Sequence, residues 1–279
     1  MMPLMALRET ALPAFCLLSG GLGAIAGSFL GVVAERVPQA VRGEEGAENL
    51  LFPGSHCAAC DHSLAWWENI PLLSWCVLRG RCRCCKTAIP ARLLLMEGLS
   101  ALFFATTAAF APSPLALGGL WLLWCGLLPL AVIDLRWLLL PDCLTQPLLW
   151  AGLLYHALTQ PLLWAGLLYH AALPQPALTD ALCGAVAGYL SLWLVYWTFR
   201  LLTGREGLGY GDFKLLAALG AWCSWQALPA LVMMASVSGI FAFILFRPGD
   251  KRHGHIPFGP CLALAGIIIF IAETFHFTF

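Results

Sequence analysis

The chain has 279 residues and a formal net charge of zero, and it is 60% hydrophobic but only 11% charged. Its mean hydropathy is +0.81. This composition excludes an ordinary soluble domain and is typical of an all-α protein that crosses a membrane several times. We expect a lipid bilayer around the chain and no nucleic-acid partner.

Apolar runs predict about eight transmembrane helices. They lie near residues 11–33, 93–111, 115–133, 143–173, 180–202, 213–224, 226–246 and 258–276. The run at 213–224 is short, and its separation from the next run at Cys223-Ser224-Trp225-Gln226 is the weakest boundary. The first run lacks the basic start and cleavage-like segment of a signal peptide, so we expect it to stay as an anchor.

Lys and Arg are distributed unevenly along the chain. With the N-terminus outside, segments 34–92, 134–142, 203–212 and 247–257 share one side and, with their helix ends, hold 14 of the 15 Lys and Arg residues. The positive-inside rule predicts that this side is the cytoplasm. Asp134 and Asp212 then lie at the cytoplasmic ends of their helices.

Three regions follow from this arrangement: a first transmembrane helix at 1–33, a cytoplasmic Cys-rich domain at 34–92 and a membrane domain at 93–279. The Cys-rich domain carries two Cys-x-x-Cys hooks, and 21 residues separate them. The four cysteines are Cys57, Cys60, Cys82 and Cys85. This spacing predicts a structural zinc site, because each hook offers two sulfurs to one tetrahedral ion. A domain this small also needs such a staple to fold.

Alternatives remain open around this predicted zinc site. Cys84 could replace Cys85, and His56 or His62 could compete as ligands. The aromatic run Trp66–Trp75 is too apolar for a solvated loop and could cover the metal or rest on the membrane interface.

Asp212 follows two glycines in Gly209-Tyr210-Gly211-Asp212, at the mouth of an apolar run. An ionised carboxylate at a membrane edge is costly, which makes Asp212 a functional candidate. Gly209 and Gly211 would let a substrate peptide approach closely. The plainer interpretation is that Asp212 caps a helix.

Three other acidic residues lie near membrane boundaries. Asp134 ends a helix, where the macrodipole disfavours an anion, so its placement needs a functional reason. Asp142 precedes a helix with Pro147 in its first turns and is expected to cap it. Glu97 is close enough to a boundary to reach water or to pair with Arg92.

A tandem duplication covers residues 145–172, where Thr145–Leu158 recurs as Thr159–Ala172 with 13 of 14 positions identical. Fourteen residues add about 21 Å of helix and nearly keep its register. A hairpin turning at Thr159-Gln160 would have limbs too short to span a bilayer and would invert the sidedness of Asp212. We therefore expect one long helix, kinked near Pro161 and extended at its far end, where Tyr169 and His170 meet water.

Taken together, these motifs resemble the type IV prepilin leader peptidases over nearly the whole chain. Matching motifs are Gly209–Asp212, Asp134 with Leu139–Asp142, the four hook cysteines, Gly27–Leu30, Trp66–Trp75, Arg92, Glu97 and Ile256–Pro260. Gly31 stands where the family usually has Asn. Without the 14 duplicated residues, the 78 positions from Asp134 to Asp212 become 64, which agrees with the family spacing.

The resemblance implies a bifunctional membrane enzyme of type IV pilus or type II secretion systems. Asp134 and Asp212 would form the catalytic pair, one holding a proton while the other activates water. Prepilin or pseudopilin would be cut after a Gly at the cytoplasmic face of the bacterial inner membrane. The new N-terminal residue would then be methylated from S-adenosylmethionine. No residue is assigned to that donor, because 34–92 has no glycine-rich fingerprint, and homo-oligomerisation is left open.

Two functions of other classes compete with the peptidase. A proton-coupled transporter would also carry isolated membrane carboxylates, but it predicts them deep in helices with an inverted repeat. The chain instead has carboxylates at one boundary and a repeat in the same direction. A non-enzymatic, zinc-bearing membrane scaffold is the other alternative.

Overall fold

The computed structural model describes residues 11–43, 49–50, 52, 54–167, 178–204, 209–246 and 257–275, with side chains described outside 159–167 and 245–246. The α-helices are α1 Leu12–Val41, α2 Leu73–Val77, α3 Ala91–Phe110, α4 Pro114–Trp137, α5 Asp142–Leu167, α6 Leu178–Thr203, α7 Tyr210–Phe246 and α8 Gly259–Thr274. One turn of 3-10 helix covers Trp66–Asn69. Across the described ranges, β-structure is limited to two isolated bridges. The predicted all-α class is confirmed.

Five of these helices, α1, α3, α4, α6 and α7, are long and apolar enough to cross a bilayer. Helix α8 is equally apolar but has only 16 residues. Helix α1 continues past the apolar run near residue 33 and ends at Val41. The protein is therefore a polytopic membrane protein. Its helices fall into two compact units, Met1–Pro129 and Leu130–Phe279.

Helix α7 is broken at Ser224, where the backbone has φ 61° and ψ 173°. The break lies in the Cys223–Gln226 stretch at which the sequence separates two spans. Just after it, Trp225 Nε1 donates a hydrogen bond to Asp180 Oδ1 at 3.2 Å. Asp180 is in the first turn of α6, so the break lies level with the start of α6. The predicted boundary is confirmed.

In the first unit, α1 packs against α3 through its small residues. A Cβ on Gly27 would lie 2.6 Å from the Met96 carbonyl oxygen, so the two backbones touch directly. This close approach is the role expected of small residues between membrane helices. Arg92 pairs with Glu35 of α1, with Nε 3.1 Å from Oε1. Of the two alternatives for Glu97, contact with water or pairing with Arg92, the second is therefore not the one found.

In the second unit, α5 packs against α7 through the first copy of the duplicated sequence. Trp222 Nε1 donates to the Leu148 carbonyl and His156 Nε2 donates to the Trp222 carbonyl, each at 2.9 Å. A Cβ on Gly152 would lie 2.7 Å from the Trp222 ring. The first copy therefore holds α5 against α7.

The backbone of α5 is helical at every residue from Asp142 to Leu167, so it passes through Thr159-Gln160 without a turn. One helix rather than a hairpin is thus confirmed for this stretch. Tyr169 and His170, which we expect to meet water, lie outside the described residues.

Candidate active site and metal centre

The four hook cysteines converge on one point. All four Sγ atoms lie within 4.8 Å of one another. Cys57 and Cys85 are 3.7 Å apart, and Cys60 and Cys82 are 4.0 Å apart, between their sulfurs. A tetrahedral ion with Zn–S bonds of about 2.3 Å places its sulfurs about 3.8 Å apart. The four side chains therefore fit a Cys₄ zinc site.

The two hooks share one local fold, which explains how they face each other. In the first, the Cys57 N–H donates to the His62 carbonyl at 3.0 Å, and in the second the Cys82 N–H donates to Thr87 at 2.9 Å. The residue after the last cysteine of each hook, Asp61 or Lys86, has positive φ. The chain reverses tightly behind each sulfur pair and presents both thiols on one side.

Hydrogen bonding to Thr87 favours the thiolate form of Cys85. The Thr87 hydroxyl lies 3.2 Å from its Sγ. Hydrogen bonding from the side chain and then the backbone of Thr87 lowers the pKa of the Cys85 thiol to about 6. A thiolate is the form that binds a metal.

The alternative ligands lie away from this cluster. Cys84 is not part of the sulfur group. His56 Nδ1 is 3.0 Å from the Gly54 carbonyl oxygen, and His62 Nε2 is 3.8 Å from Glu68 Oε2. Among the described residues, the cluster contains the four predicted cysteines and no histidine.

Glu97 has a different partner from the one expected. Its Oε2 accepts the Leu72 N–H at 2.8 Å, and this bond ties the start of α2 to α3. The aromatic segment is thus fixed to a membrane helix by a carboxylate. The nearby Glu68 carboxylate similarly accepts the Ala65 N–H at 2.7 Å.

Asp134 belongs to the last turn of α4, and its side chain contacts the first residue of α8. Its Oδ2 accepts the N–H of Gly259, the first residue of α8, at 2.9 Å, and the side chain is buried. Helix N-termini have unsatisfied N–H groups and a partial positive charge, both of which suit a carboxylate. Pro260 follows at the second position and has no N–H to satisfy. The C-terminal end of α4 disfavours a charged Asp134, and the N-terminus of α8 stabilises it.

Gly259 is required by this contact, a role that the matching motif Ile256–Pro260 does not itself predict. A Cβ there would lie 2.6 Å from Asp134 Oδ2. The signal was the run Pro257-Phe258-Gly259-Pro260 before an apolar segment, which marks a helix start. It does not say which carboxylate arrives there.

Asp212 lies in the first turn of α7 and is also buried. Its N–H donates to the Gly209 carbonyl at 3.2 Å. Asp212 is near enough to Asp134 for the two charges to interact. The structure therefore brings both candidate aspartates to one end of the second unit, each at a helix N-terminus.

Gly209 and Gly211, which precede Asp212, do not have positive φ, so this backbone conformation is not the reason for a glycine at either position. Gly211 instead packs on Leu140, where a Cβ would lie 2.6 Å from the Leu140 Cβ. A Cβ on Gly209 would be 3.6 Å from Asp212 Oδ2, an ordinary contact. The chain that approaches Gly211 is thus the protein's own, at the Leu140-Pro141 turn.

Asp142, in the first turn of α5, forms an ion pair with Lys214 of α7. Lys214 Nζ lies 2.6 Å from its Oδ1 and 2.7 Å from its Oδ2. The backbone carbonyl of Pro141 accepts the first N–H groups of α5, from Leu144 and Thr145. The ion pair joins the start of α5 to the start of α7.

A polar chain supports the Gly209–Asp212 segment from α6. Arg200 Nη1 donates to the Tyr196 hydroxyl at 2.8 Å, and that hydroxyl lies 3.0 Å from the Tyr210 hydroxyl. Tyr196 is fully buried, whereas Tyr210 is half exposed. Arg200 and Tyr196 are one turn apart on α6, whereas Tyr196 and Tyr210 are 14 positions apart on different helices, so no local pattern predicts the second contact.

Two buried carboxyl groups at neighbouring helix ends form the type of site that aspartic hydrolases use. Two family models match the chain: the bacterial peptidase A24 N-terminal domain over residues 22–110 and the type IV leader peptidase family over 121–244.

Similar proteins carry the name prepilin leader peptidase/N-methyltransferase. That of Pectobacterium carotovorum is 43% identical, covering 92% of this chain and 93% of the relative. The Aeromonas hydrophila protein is 46% identical over 87% and 85%. The Pseudomonas aeruginosa protein is 42% identical over 96% and 93%. No solved structure matches. The chain belongs to the type IV leader peptidase family.

Proposed function

We propose that this protein cleaves the leader peptide of type IV prepilins or pseudopilins and then N-methylates the new N-terminal residue. The family and the names of its relatives support both activities. The observation that carries the peptidase is the placement of Asp134 and Asp212 at neighbouring helix N-termini. We prefer the peptidase to the transporter and scaffold alternatives, because the similar proteins are named as enzymes.

In this mechanism Asp134 and Asp212 share the acid–base work. Both aspartates lie at helix N-termini, so the feature that distinguishes Asp134 is the Gly259 N–H, which donates to its carboxylate and favours the charged form. We therefore assign the activation of water to Asp134 and the protonated role to Asp212. Asp212 would polarise the peptide carbonyl and then protonate the leaving amine.

Asp212 is preceded by Gly209, Tyr210 and Gly211, and in this proposal a substrate peptide would arrive along this exposed segment. Gly209 and Tyr210 are exposed, and Gly211 is partly so. Because Leu140 already packs on Gly211, a backbone segment of prepilin could lie along Gly209 and Tyr210 and reach the carboxyl group from there. The peptide's apolar helix would remain in the bilayer while its leader lies in water.

The Cys-rich domain would hold zinc through Cys57, Cys60, Cys82 and Cys85. The ion would staple the two hooks and supply stability rather than chemistry at the peptide bond. S-adenosylmethionine would supply the methyl group. That donor rests on the family, and no residue is assigned to it.

We place the enzyme in the bacterial inner membrane with Asp134 and Asp212 facing the cytoplasm. The uneven distribution of Lys and Arg supports this orientation. Residues 34–92 would then lie on the same side as the peptidase site. Both activities would then meet their substrate at the same face of the membrane.

The test is incubation of the purified full-length protein with a prepilin, with the product read by mass spectrometry. Asp134→Asn and Asp212→Asn should each abolish cleavage while the protein still inserts and folds. Asp142→Asn is the matched control and should retain cleavage. Substantial turnover by either of the first two variants would refute the pair. A cut product that never gains a methyl group would refute the second activity.

A further inference from the structure

A cavity of about 530 Å³ opens beside the second cysteine hook. Four cations line it, together with the aliphatic residues Val77 and Leu78. The cations are Arg79, Arg81, Arg83 and Lys86, and all four are exposed. Four like charges around one cavity repel one another, so an anion there would be favoured.

In the part of the chain that the structure describes, no Asp or Glu pairs with these cations. The hook residue Cys82 also lines the cavity, and a zinc ion held by four thiolates would carry two negative charges, so the cavity would keep an excess of about two positive charges. The sequence from Ile70 to Arg92 contains five cations and no Asp or Glu. In this unit the described ion pairs are His62 with Glu68 and Arg92 with Glu35, which leave the four cavity cations out. Arg83 instead lies over the Trp67 ring, 5.4 Å from its centre.

The hydrogen bond between Leu72 and Glu97 fixes the depth of this region against the membrane. Glu97 lies six residues into α3, about 9 Å along the helix from its start. The neighbouring leucines of α3, Leu95 and Leu99, are exposed as lipid-facing residues would be. The start of α2 is therefore held at the level of the membrane interface.

Helix α2 presents an apolar edge at that level. Leu73 and Val77, one turn apart, are 63% and 71% exposed. Side chains of this kind are costly in water but suit the boundary between headgroups and acyl chains. The cations follow directly, with Arg79 two residues after Val77. The apolar residues Leu73 and Val77 are thus followed by cations, as acyl chains are followed by headgroups at a bilayer surface.

We propose that this cavity binds the phosphate headgroup of an anionic phospholipid, while Leu73 and Val77 contact its acyl chains. Guanidinium groups bind phosphate oxygens in pairs, and basic clusters beside membrane helices favour anionic lipids. The site is separate from the two aspartates and does not depend on the proposed peptidase mechanism. It would anchor the Cys-rich domain flat on the membrane.

The test uses the full-length protein in nanodiscs of phosphatidylcholine mixed with phosphatidylglycerol. Lipids retained by the protein are quantified by native mass spectrometry. The natural chain should enrich phosphatidylglycerol over the bulk mixture, and affinity should fall about fivefold for each cavity cation removed. The variant R79Q/R81Q/R83Q/K86Q should show no enrichment. The control R136Q/R200Q, which removes two cations elsewhere, should keep it.

Zinc content is measured on every variant, because three substitutions adjoin the hooks. If the quadruple variant loses zinc, Arg79→Gln decides: lower enrichment with zinc retained supports the site, and unchanged enrichment overturns it. Leu73→Ser with Val77→Ser should also weaken lipid retention. Equal enrichment in the natural and quadruple chains overturns the proposal. Inorganic phosphate that binds the cavity without any lipid preference would overturn the lipid as occupant.

Discussion

Lys214 and Asp142 form a two-point ion pair, with Lys214 Nζ 2.6 and 2.7 Å from the two carboxylate oxygens. Lys214 follows Asp212 by two positions, and Asp142 begins the helix after the Asp134 segment. The pair therefore joins the two chain segments that carry the candidate catalytic aspartates. It lies at the surface, with side-chain exposures of 33% for Lys214 and 61% for Asp142.

Asp142→Asn should lower the stability only slightly, by about 0.5 kcal/mol, because exposed ion pairs contribute little. Cleavage should persist at a reduced rate, since Asp142 aligns helices and does no chemistry. Thermal unfolding and cleavage rates of Asp142→Asn, Lys214→Gln and the double variant measure the coupling. If Asp142→Asn is as inactive as Asp212→Asn, Asp142 has a chemical role.

Gly259→Ala should reduce cleavage at least tenfold. Its Cβ would meet Asp134 Oδ2 at 2.6 Å and push the carboxylate away from the α8 N-terminus. Gly239→Ala is the matched control, because its Cβ would meet its nearest neighbour at 3.7 Å, an ordinary contact. Equal activity of the two alanine variants would contradict the positioning of Asp134 by Gly259.

The duplicated segment allows the same substitution at two equivalent positions. His156→Leu should destabilise the protein by about 1–3 kcal/mol, since it removes the donor to the buried Trp222 carbonyl. His170→Leu, the counterpart that we expect to meet water, should be nearly silent. Thermal melting in detergent compares the two variants.

Deleting Thr159–Ala172 should leave cleavage largely intact. A deletion variant that inserts well but is inactive would show that the second copy supports the site.

In protein from which a chelator has just removed the metal, while the hooks keep their fold, Cys85 should remain reactive as the pH falls toward 6. Its pKa of about 6 lies below the ordinary 9.0, so the thiolate persists as pH falls until about 6. Any stability from this charge is likewise present at high pH and lost as pH falls through about 6. Alkylation followed by peptide mass mapping gives the pH midpoint.

Thr87→Val is the control for Cys85, because it removes the hydroxyl and should raise the midpoint toward 9.0. Bound zinc should block alkylation at all four hook cysteines, and elemental analysis should find about one zinc per chain. A Cys85 midpoint unchanged by Thr87→Val would contradict the role of that hydroxyl.

Features with a local signature were predictable from the sequence. The apolar runs gave the helices, including the separation at Ser224, because hydrophobic length is a strong signal in membrane proteins. The hook spacing gave the sulfur cluster, since each Cys-x-x-Cys folds on its own turn. The continuity of α5 followed from length alone.

Features that depend on tertiary contacts were not predictable. Lys214, Gly259 and Tyr196 acquire their roles from residues more than ten positions away. A single sequence gives a residue's type but not its partner across the fold. For that reason the ion pairs of Asp142 with Lys214 and of Arg92 with Glu35 were not predictable.

The break at Ser224 limits the first part of α7, which carries Asp212 in its first turn, to the 14 residues Tyr210 to Cys223. That segment is about 21 Å long, and α8, with 16 residues, is about 24 Å. Both are shorter than the hydrocarbon core of about 30 Å, and both begin at a candidate aspartate. A bilayer meets such mismatch by thinning, which draws headgroups and water inward at these helix starts. Longer acyl chains in the host membrane would therefore change the hydration of both carboxyl groups without altering a single residue.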